Sequence, residues 1–527
     1  MLKWKPTRRK RRQYALIGAA AFIFIFILTV HHHGTINPPG SHNAPAVYER
    51  AYNPLVPEHA RFWKSLYGLI LNNNPQCLKR PDLVVPRNPD IAYDPDYSHP
   101  RPDVLWMDEA DISRMKAAHS NFITDIRSLP TNLVYNPGTR GIVTTASEGL
   151  LAILSISLRM LRKTGTNLPV EIFLNRPTPF TNAFCTNVFP HLDAKCLYLS
   201  DIFSASDTTV NLNTYQYKVF SILFSSFEDV LLLDSDAWPI SNPEPLFHSL
   251  PFSDTGLILW PDFWYASESP YFFDIAKIAH PPPLTERPAT ESGEMLYSKA
   301  KHGLGIMLAV YYNYYGPEYF YLLQSQDGPG QGDKETFPWA AAALGEDFYF
   351  VHHPVGSLGR HDSNGEYIGT AMIQYDPVQD FFALSQRSFR PPAVNPEEIA
   401  HPDPSVQKPA GTERVKPLFV HANFPKFDPI TIFDDEIKGV HTPTRDSNGD
   451  WVRCWMPEAD AVELFGFDLE RRFWEAMEEG ACGDLLGLWV AGGRPERYAL
   501  EQVRRRDQAT CDKVRRYYGE VFGKGKE

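Results

Sequence analysis

The run Val230-Leu231-Leu232-Leu233, followed at once by Asp234-Ser235-Asp236, constrains this chain more than any other feature. Four consecutive apolar residues suit a strand buried on both faces, as in a parallel sheet covered by helices. Two carboxylates one residue apart then stand at the carboxyl end of that strand, the edge where open α/β sheets bind ligands. From a turn, both can approach one hard divalent cation, and such a cation neutralises a pyrophosphate. Alone the triplet is weak evidence, because Asp-x-Asp also serves as a solvated turn or a helix cap.

The surrounding pattern strengthens it. GIVTT (141–145), PVEIFLN (169–175), KCLYL (195–199) and GLILWPD (256–262) are strand-like runs. EGLLAILSISLRMLRKTG and YQYKVFSILFSSF (215–227) carry helical spacing between them. Strands alternating with helices predict a βαβ series, hence a doubly wound α/β core with a parallel sheet.

The N-terminus differs from the rest. Seven cations (Lys3, Lys5, Arg8, Arg9, Lys10, Arg11, Arg12) precede an uncharged run from Tyr14 to Val30. As a helix rising ~1.5 Å per residue that run spans about 25 Å, enough for a thin bilayer. The cationic flank predicts a cytoplasmic tail (1–13), a retained single-pass type II anchor (14–30) and a lumenal remainder. A cleaved signal peptide is the competing reading. Residues 31–55 read as a stem, 56–135 as a helical collar and 136–440 as the α/β domain, with a Pro-rich insertion at 390–417. Residues 441–527 read as a helical cap. All six cysteines (Cys77, Cys185, Cys196, Cys454, Cys482, Cys511) then lie in an oxidising compartment, which permits up to three disulfides. Cys185–Cys196 is the foremost pair, with ten residues between them around a Pro-containing turn. The net charge of −12 argues against nucleic acid as a partner.

With these blocks in view the resemblance narrows. YQYKVFSILFSSFEDVLLLDSDAWPISNPEPLF resembles the donor-site core of retaining, GT-A-like (Rossmann-like) nucleotide-sugar transferases, in which a Lys-bearing helix precedes the Asp-x-Asp strand. RGIVTTAS, GLILWPDFW, ESGEMLYSKAKH, YYNYYGPEYFYLL, GQGDKETFPWAAAAL and PLFVHANFPKFDP occur in order between about 140 and 430. Together they resemble the fungal Golgi alpha-mannosyltransferases of mannan outer chains, glycosyltransferase family 71. The block GPEYFYLLQSQDGPGQGDKETF is closer to the alpha-1,2 than to the alpha-1,3 branch. The resemblance implies GDP-mannose as donor, Mn2+ as metal, and retention of configuration. It also implies a mannose-terminated glycan or glycoprotein acceptor, a Golgi membrane location with the catalytic domain lumenal, and room for a Golgi transferase complex.

The same resemblance suggests roles for individual residues. His421, after the apolar run LFV, becomes the third protein ligand beside Asp234 and Asp236. Thr144 and Thr145 face the nucleotide, or else Thr145 and Glu148 form an ordinary capping box. Lys218 reaches the donor diphosphate or sugar, unless it is a solvated helix lysine. Asp333, Glu335 and Glu291 are the acids available to stabilise an oxocarbenium-like charge, Asp333 foremost, with helix N-capping as its alternative. Trp260 and Asp262 are assigned to the acceptor, Trp260 with plain packing as the alternative. His352 and His353 read as an edge pair in the strand FYFVHHPV. Three rival functions stay open: a UDP-hexose transferase of the same fold, an inactive anchored glycan-binding protein, and a glycoside hydrolase.

Overall fold

The computed structural model describes residues 53–84, 92–96, 100–129, 133–385, 415–433, 443–484 and 497–523. The expected tail and anchor, and most of the stem and of the Pro-rich stretch 390–417, lie outside these residues. Among the described residues no helix is long and apolar enough to cross a membrane.

Strands form where the apolar runs predict them: β1 (Asn136–Thr145), β2 (Val170–Leu174), β3 (Ala194–Tyr198) and β4 (Phe227–Leu233). A three-residue strand, β5 (Ala237–Pro239), follows the Asp-Ser-Asp turn. β6 (Leu257–Tyr265), β7 (Pro288–Ser298) and β8 (Tyr349–Phe350) complete a seven-stranded sheet in the order β8-β6-β7-β4-β1-β2-β3. The sheet is mixed rather than parallel. β7, the ESGEMLYSK block, runs antiparallel to both β4 and β6, whereas all other pairings are parallel. Its polar Thr290, Ser292 and Glu294, all buried, and the half-buried Glu291 hide the strand signal, because they serve the site and not the core.

A second, four-stranded sheet has the order β9 (Gly356–His361), β10 (Tyr367–Tyr375), β11 (Pro417–His421), β5. β11 and β5 are antiparallel, with His421 opposite Ala237. This pairing brings the histidine back to the carboxylate turn. The strand expected at FYFVHHPV ends at Phe350, and the amides of His352 and His353 instead donate to the Asp380 carboxylate at 2.7 and 3.0 Å.

The sheet separates two apolar layers, as strand alternation requires. On one face Ile142, Leu231 and Leu233 meet α1 (Leu151–Arg162), the second sheet, and Phe473, Trp474 and Tyr517 of the C-terminal helices. On the other, Val143, Val230 and Leu232 meet α2 (Tyr217–Phe224), α3 (Gly303–Tyr314), α4 (Thr336–Leu344), and Phe62, Trp63 and Phe122 of the helices before β1. Val230 to Leu233 are all buried, so the DSD strand is covered on both sides as expected. Cys185–Cys196 forms, as does Cys482–Cys511, while Cys77 and Cys454 stay reduced.

Candidate metal and donor site

β4 ends at Leu233, and the Asp234 amide donates to Gly293 O at 2.7 Å, tying the carboxylate turn to β7. The Ala422 amide donates to Asp236 O at 2.9 Å, tying the same turn to the end of β11. Between these ties one carboxylate oxygen each of Asp234 and Asp236 and one His421 ring nitrogen fall within 4.8 Å of one another. His421 Nε2 lies 3.3 Å from Asp236 Oδ1 and 3.9 Å from Asp234 Oδ2. Neither ring nitrogen makes a well-aligned hydrogen bond, although both are buried. Two hard oxygens and one imidazole nitrogen, converging even though Lys218 pairs with Asp234 and Lys426 with Asp236, fit a divalent cation.

Gly293 is required by this packing. A Cβ there would stand 2.4 Å from His421 Nδ1. The neighbouring Glu291 turns its Oε1 back onto the amides of Ser292 (3.0 Å) and Gly293 (2.7 Å) and lies 3.4 Å from His421 Nδ1. It therefore orients the imidazole from behind, as carboxylates do for metal-binding histidines. Burial would raise the Glu291 carboxyl, but His421 and Lys218 outweigh it and hold it down at about 2. Burial likewise opposes the charge on His421, yet Asp236 and Glu291 hold its proton well above the ordinary range.

Lys218 is not a solvated helix lysine. From α2 its Nζ donates to Ser292 O (3.0 Å) and Ser292 Oγ (2.9 Å), and it pairs with Asp234 Oδ2 at 3.0 Å. Asp333 Oδ1 stands 4.0 Å away on its other side. Burial opposes the ammonium, but Asp234, Asp333 and Glu291 together raise its pKa.

Asp333 does not cap a helix with its side chain. Its backbone carbonyl receives the Thr336 amide (2.8 Å), while its buried Oδ2 has no hydrogen-bond partner. Burial pushes its carboxyl up to about 6, against the pull of Lys218. A buried, unpartnered carboxylate oxygen beside a lysine is costly to the fold and calls for a functional reason.

The remaining candidates part company. Thr145 ends β1 at the same sheet edge and is half-buried, whereas Thr144 is buried and lines a small cavity with Ser157 of α1, Asp234 and Ala237, its hydroxyl without a hydrogen-bond partner. The Thr145–Glu148 capping box does not form: Glu148 accepts from the Thr178 hydroxyl instead. Glu335 is fully engaged, receiving the Thr290 amide (2.6 Å), the Thr290 hydroxyl (3.2 Å) and Arg287 (3.0 Å). Asp262 is buried against Lys334 Nζ at 2.8 Å. Trp260 is wholly buried, its indole N–H donating to Tyr375 O at 2.9 Å and its ring edge-on to Phe419. None of these three presents a free face.

Three residues escaped the sequence reading. Lys426, in HANFPKF, pairs with the Asp236 carboxylate while half-exposed. Burial would raise Asp236, yet His421 and Lys426 bring it below the usual carboxylate range. Ser292 anchors Lys218. Glu294 is buried with neither carboxylate oxygen hydrogen-bonded, and burial, with Glu291 and Asp234 nearby, lifts its pKa to about 8. All three sit inside blocks singled out above, but only their partners across the sheets reveal them.

Known proteins share these blocks. The Mannosyl_trans3 mannosyltransferase family model matches residues 139–289 and 284–376. Alpha-1,2-mannosyltransferase MNN21 of Candida albicans is 32% identical over 422 residues, 72% of this chain and 62% of that protein. Alpha-1,2-mannosyltransferase MNN23 of the same organism is 31% identical over 432 residues, 70% of this chain and 71% of that protein. Alpha-1,2-mannosyltransferase MNN2 of Saccharomyces cerevisiae is 31% identical over 378 residues, 62% of this chain and 63% of that protein. The chain thus spans between 62% and 71% of these relatives' lengths. Among solved structures, the galactosyltransferase LgtC with donor and acceptor sugar analogs aligns at 14% identity over 40% of this chain and 73% of that one. Its TM-score of 0.27 is too low to bear on the site.

Proposed function

This chain belongs to the Mannosyl_trans3 family of mannosyltransferases, and from that premise we propose that it transfers mannose from GDP-mannose to a mannose-terminated glycan, with retention and in alpha-1,2 linkage. The observation that carries the reading is the meeting of Asp234, Asp236 and His421 with Lys218 and the free oxygen of Asp333. A glycoside hydrolase would have no use for that set beside a lysine. The linkage rests on the relatives named above.

Asp234, Asp236 and His421 would hold a divalent cation, Mn2+ in our reading, whose positive charge favours departure of the nucleoside diphosphate. Lys218 adds a fixed cation, held by Ser292 so that it cannot swing into solvent. Lys426 offers a second one, half-exposed beside Asp236. Asp333, on the far side of Lys218, places negative charge where the anomeric carbon becomes positive. Glu291 keeps the imidazole aimed. The GT-A-like assignment rests on the DSD strand end, the α/β sheet and the returning histidine.

The uncharged run after the cationic tail supports a type II Golgi anchor. Protease protection of an N-terminal tag in intact vesicles would count against it. The decisive experiment incubates the chain from about residue 53 with Mn2+ and a panel of sugar nucleotides, then identifies the product linkage. A product from GDP-mannose alone, alpha-1,2-linked, is expected. A product from a UDP-hexose, or none from any donor, overturns the reading.

A further inference from the structure

Among the described residues Tyr215 is one of the few large aromatic side chains left open to solvent, 49% exposed, and it packs against Gly332, the residue before Asp333. It occupies the short turn Thr214–Gln216 that leads into α2, three residues before Lys218. That turn is fixed on both sides. Gln216 accepts the Asn213 amide through Oε1 (2.6 Å) and donates from Nε2 to Asn313 O of α3 (2.6 Å).

The ring itself is seated. A Cβ at Gly332 would lie 2.8, 2.9 and 3.0 Å from Cγ, Cδ2 and Cδ1 of Tyr215, so the glycine backbone passes beneath one ring face. Gly332 also has φ +118, which a side chain tolerates poorly. Two requirements therefore converge on a glycine directly before Asp333. Tyr321 meets the Tyr215 ring edge-on, with centroids 6.3 Å apart, and is itself anchored by a 2.7 Å hydrogen bond to Asn313 Oδ1. A tyrosine with one face on Gly332, an edge on Tyr321 and the rest in solvent is a fixed apolar platform.

Its position along the site says what it meets. The carboxylates and His421 lie at one end, Lys218 in the middle, and Asp333 beyond Lys218. Tyr215 lies on the Asp333 side, packed on the residue before it. If the diphosphate lies at the carboxylate end and the transferred sugar near Asp333, the next ring outward belongs to the acceptor.

Resting on the transfer reading above, we infer that Tyr215 is an acceptor-binding residue, its open face stacking on the apolar face of the acceptor pyranose. Such a contact positions the acceptor without touching the reacting bond. Aromatic contacts of this kind are worth on the order of a tenfold change in binding.

The test measures steady-state kinetics of wild type, Tyr215→Ala and Tyr215→Phe, with methyl α-D-mannopyranoside as acceptor probe and GDP-mannose as donor. Tyr215→Ala should raise acceptor KM about tenfold with donor KM within twofold of wild type. Tyr215→Phe should match wild type, because the ring and not the hydroxyl makes the contact. Thermal melting of both variants checks that the turn still folds, and Tyr215→Leu replaces Tyr215→Ala should the latter melt early. An unmoved acceptor KM overturns the inference. So does a rise confined to donor KM, which would assign the ring to the nucleotide sugar, and so does loss in Tyr215→Phe equal to that in Tyr215→Ala. If the wild-type chain transfers no mannose at all, the functional reading fails first and this inference falls with it.

Discussion

Asp333 and Glu335 stand two residues apart in GDKETF, and both are buried, yet their surroundings are opposite. Glu335 is locked between Arg287 and Thr290, and Arg287 reaches on to Glu268 (3.3 Å), which Arg101 closes from the other side (2.6 Å). Every charge in that network has a partner. Asp333 keeps one oxygen free and faces a lysine 4.0 Å away. The network behind the site is complete as it stands; the cluster at the sheet edge is complete only with a ligand. An unbroken ion network fixes geometry, whereas an open cluster stores charge for the substrate.

The contrast predicts that changes at the sheet edge remove activity and spare the fold, while changes in the network do the reverse. The largest effect should come from the proposed metal ligands Asp234, Asp236 and His421. Chelation should abolish transfer, and Asp236→Asn should lower it roughly a thousandfold or more, the equivalent of several kcal/mol of lost charge stabilisation. Asn keeps the volume that buried Asp236 fills, so the melting temperature should move by only a few degrees. Full turnover in excess chelator would remove the roles given to Asp234, Asp236 and His421 together. Next comes Arg287→Ala. It removes the cation that Glu268 and Glu335 share, leaving them as two like charges, and breaking a buried pair in this way costs about 3–5 kcal/mol of stability. Denaturant unfolding should show that loss, with acceptor and donor KM near wild type in the fraction that folds. Unchanged stability would mean the network is not structural.

Asp333→Asn follows. If its charge stabilises a cationic transition state, kcat should fall about a hundredfold to a thousandfold, and donor KM should change much less. The pH profile sharpens the point. Burial raises the folded-state carboxyl to about 6, above its unfolded value of 3.8, so the folded chain binds more protons in between. Stability from this group is therefore fully present below the unfolded value and is lost as pH rises through about 6. Activity runs the other way and should fall as pH drops through about 6. Asp333→Asn should flatten the stability slope and gain stability at neutral pH. Wild-type kcat in this variant would move the charge role to another acid.

Much of the α/β core was legible, because strands buried on both faces are written as apolar runs: β1 to β4 and β6 lie where those runs stand. β7 was missed as a strand for a physical reason. It carries Glu291, Ser292 and Glu294 inward to serve the site, and function overrides the apolar pattern there. The cluster of Asp234, Asp236 and His421 was legible because a DSD turn and a strand-end histidine each stand out locally. The division within GDKETF was not, since nothing local separates an acid that accepts three hydrogen bonds from one with a free oxygen. That distinction depends on Arg287 and Thr290, which are distant in sequence and arrive through β7. Trp260 and Asp262 misled for the same reason: WPD looks like an open strand end, but β10 and Lys334 close over it.

The smallest predicted effect tests that last correction at Trp260. Its ring is buried between the two sheets, edge-on to Phe419, and its N–H satisfies the Tyr375 carbonyl. Trp260→Phe removes that hydrogen bond and part of the ring, which should cost about 1–2 kcal/mol of stability. Because no face of the indole reaches the site, acceptor KM should stay within twofold of wild type. Tyr215→Ala provides the opposite pattern, a raised acceptor KM with a nearly unchanged melt, so the two variants calibrate each other. Both should be measured with the same acceptor across a range of concentrations, beside a thermal melt. A tenfold rise of acceptor KM in Trp260→Phe, with the melting temperature unmoved, would place the indole in the acceptor site. It would also mean that the two sheets separate there during turnover, since the ring has no other route to a sugar.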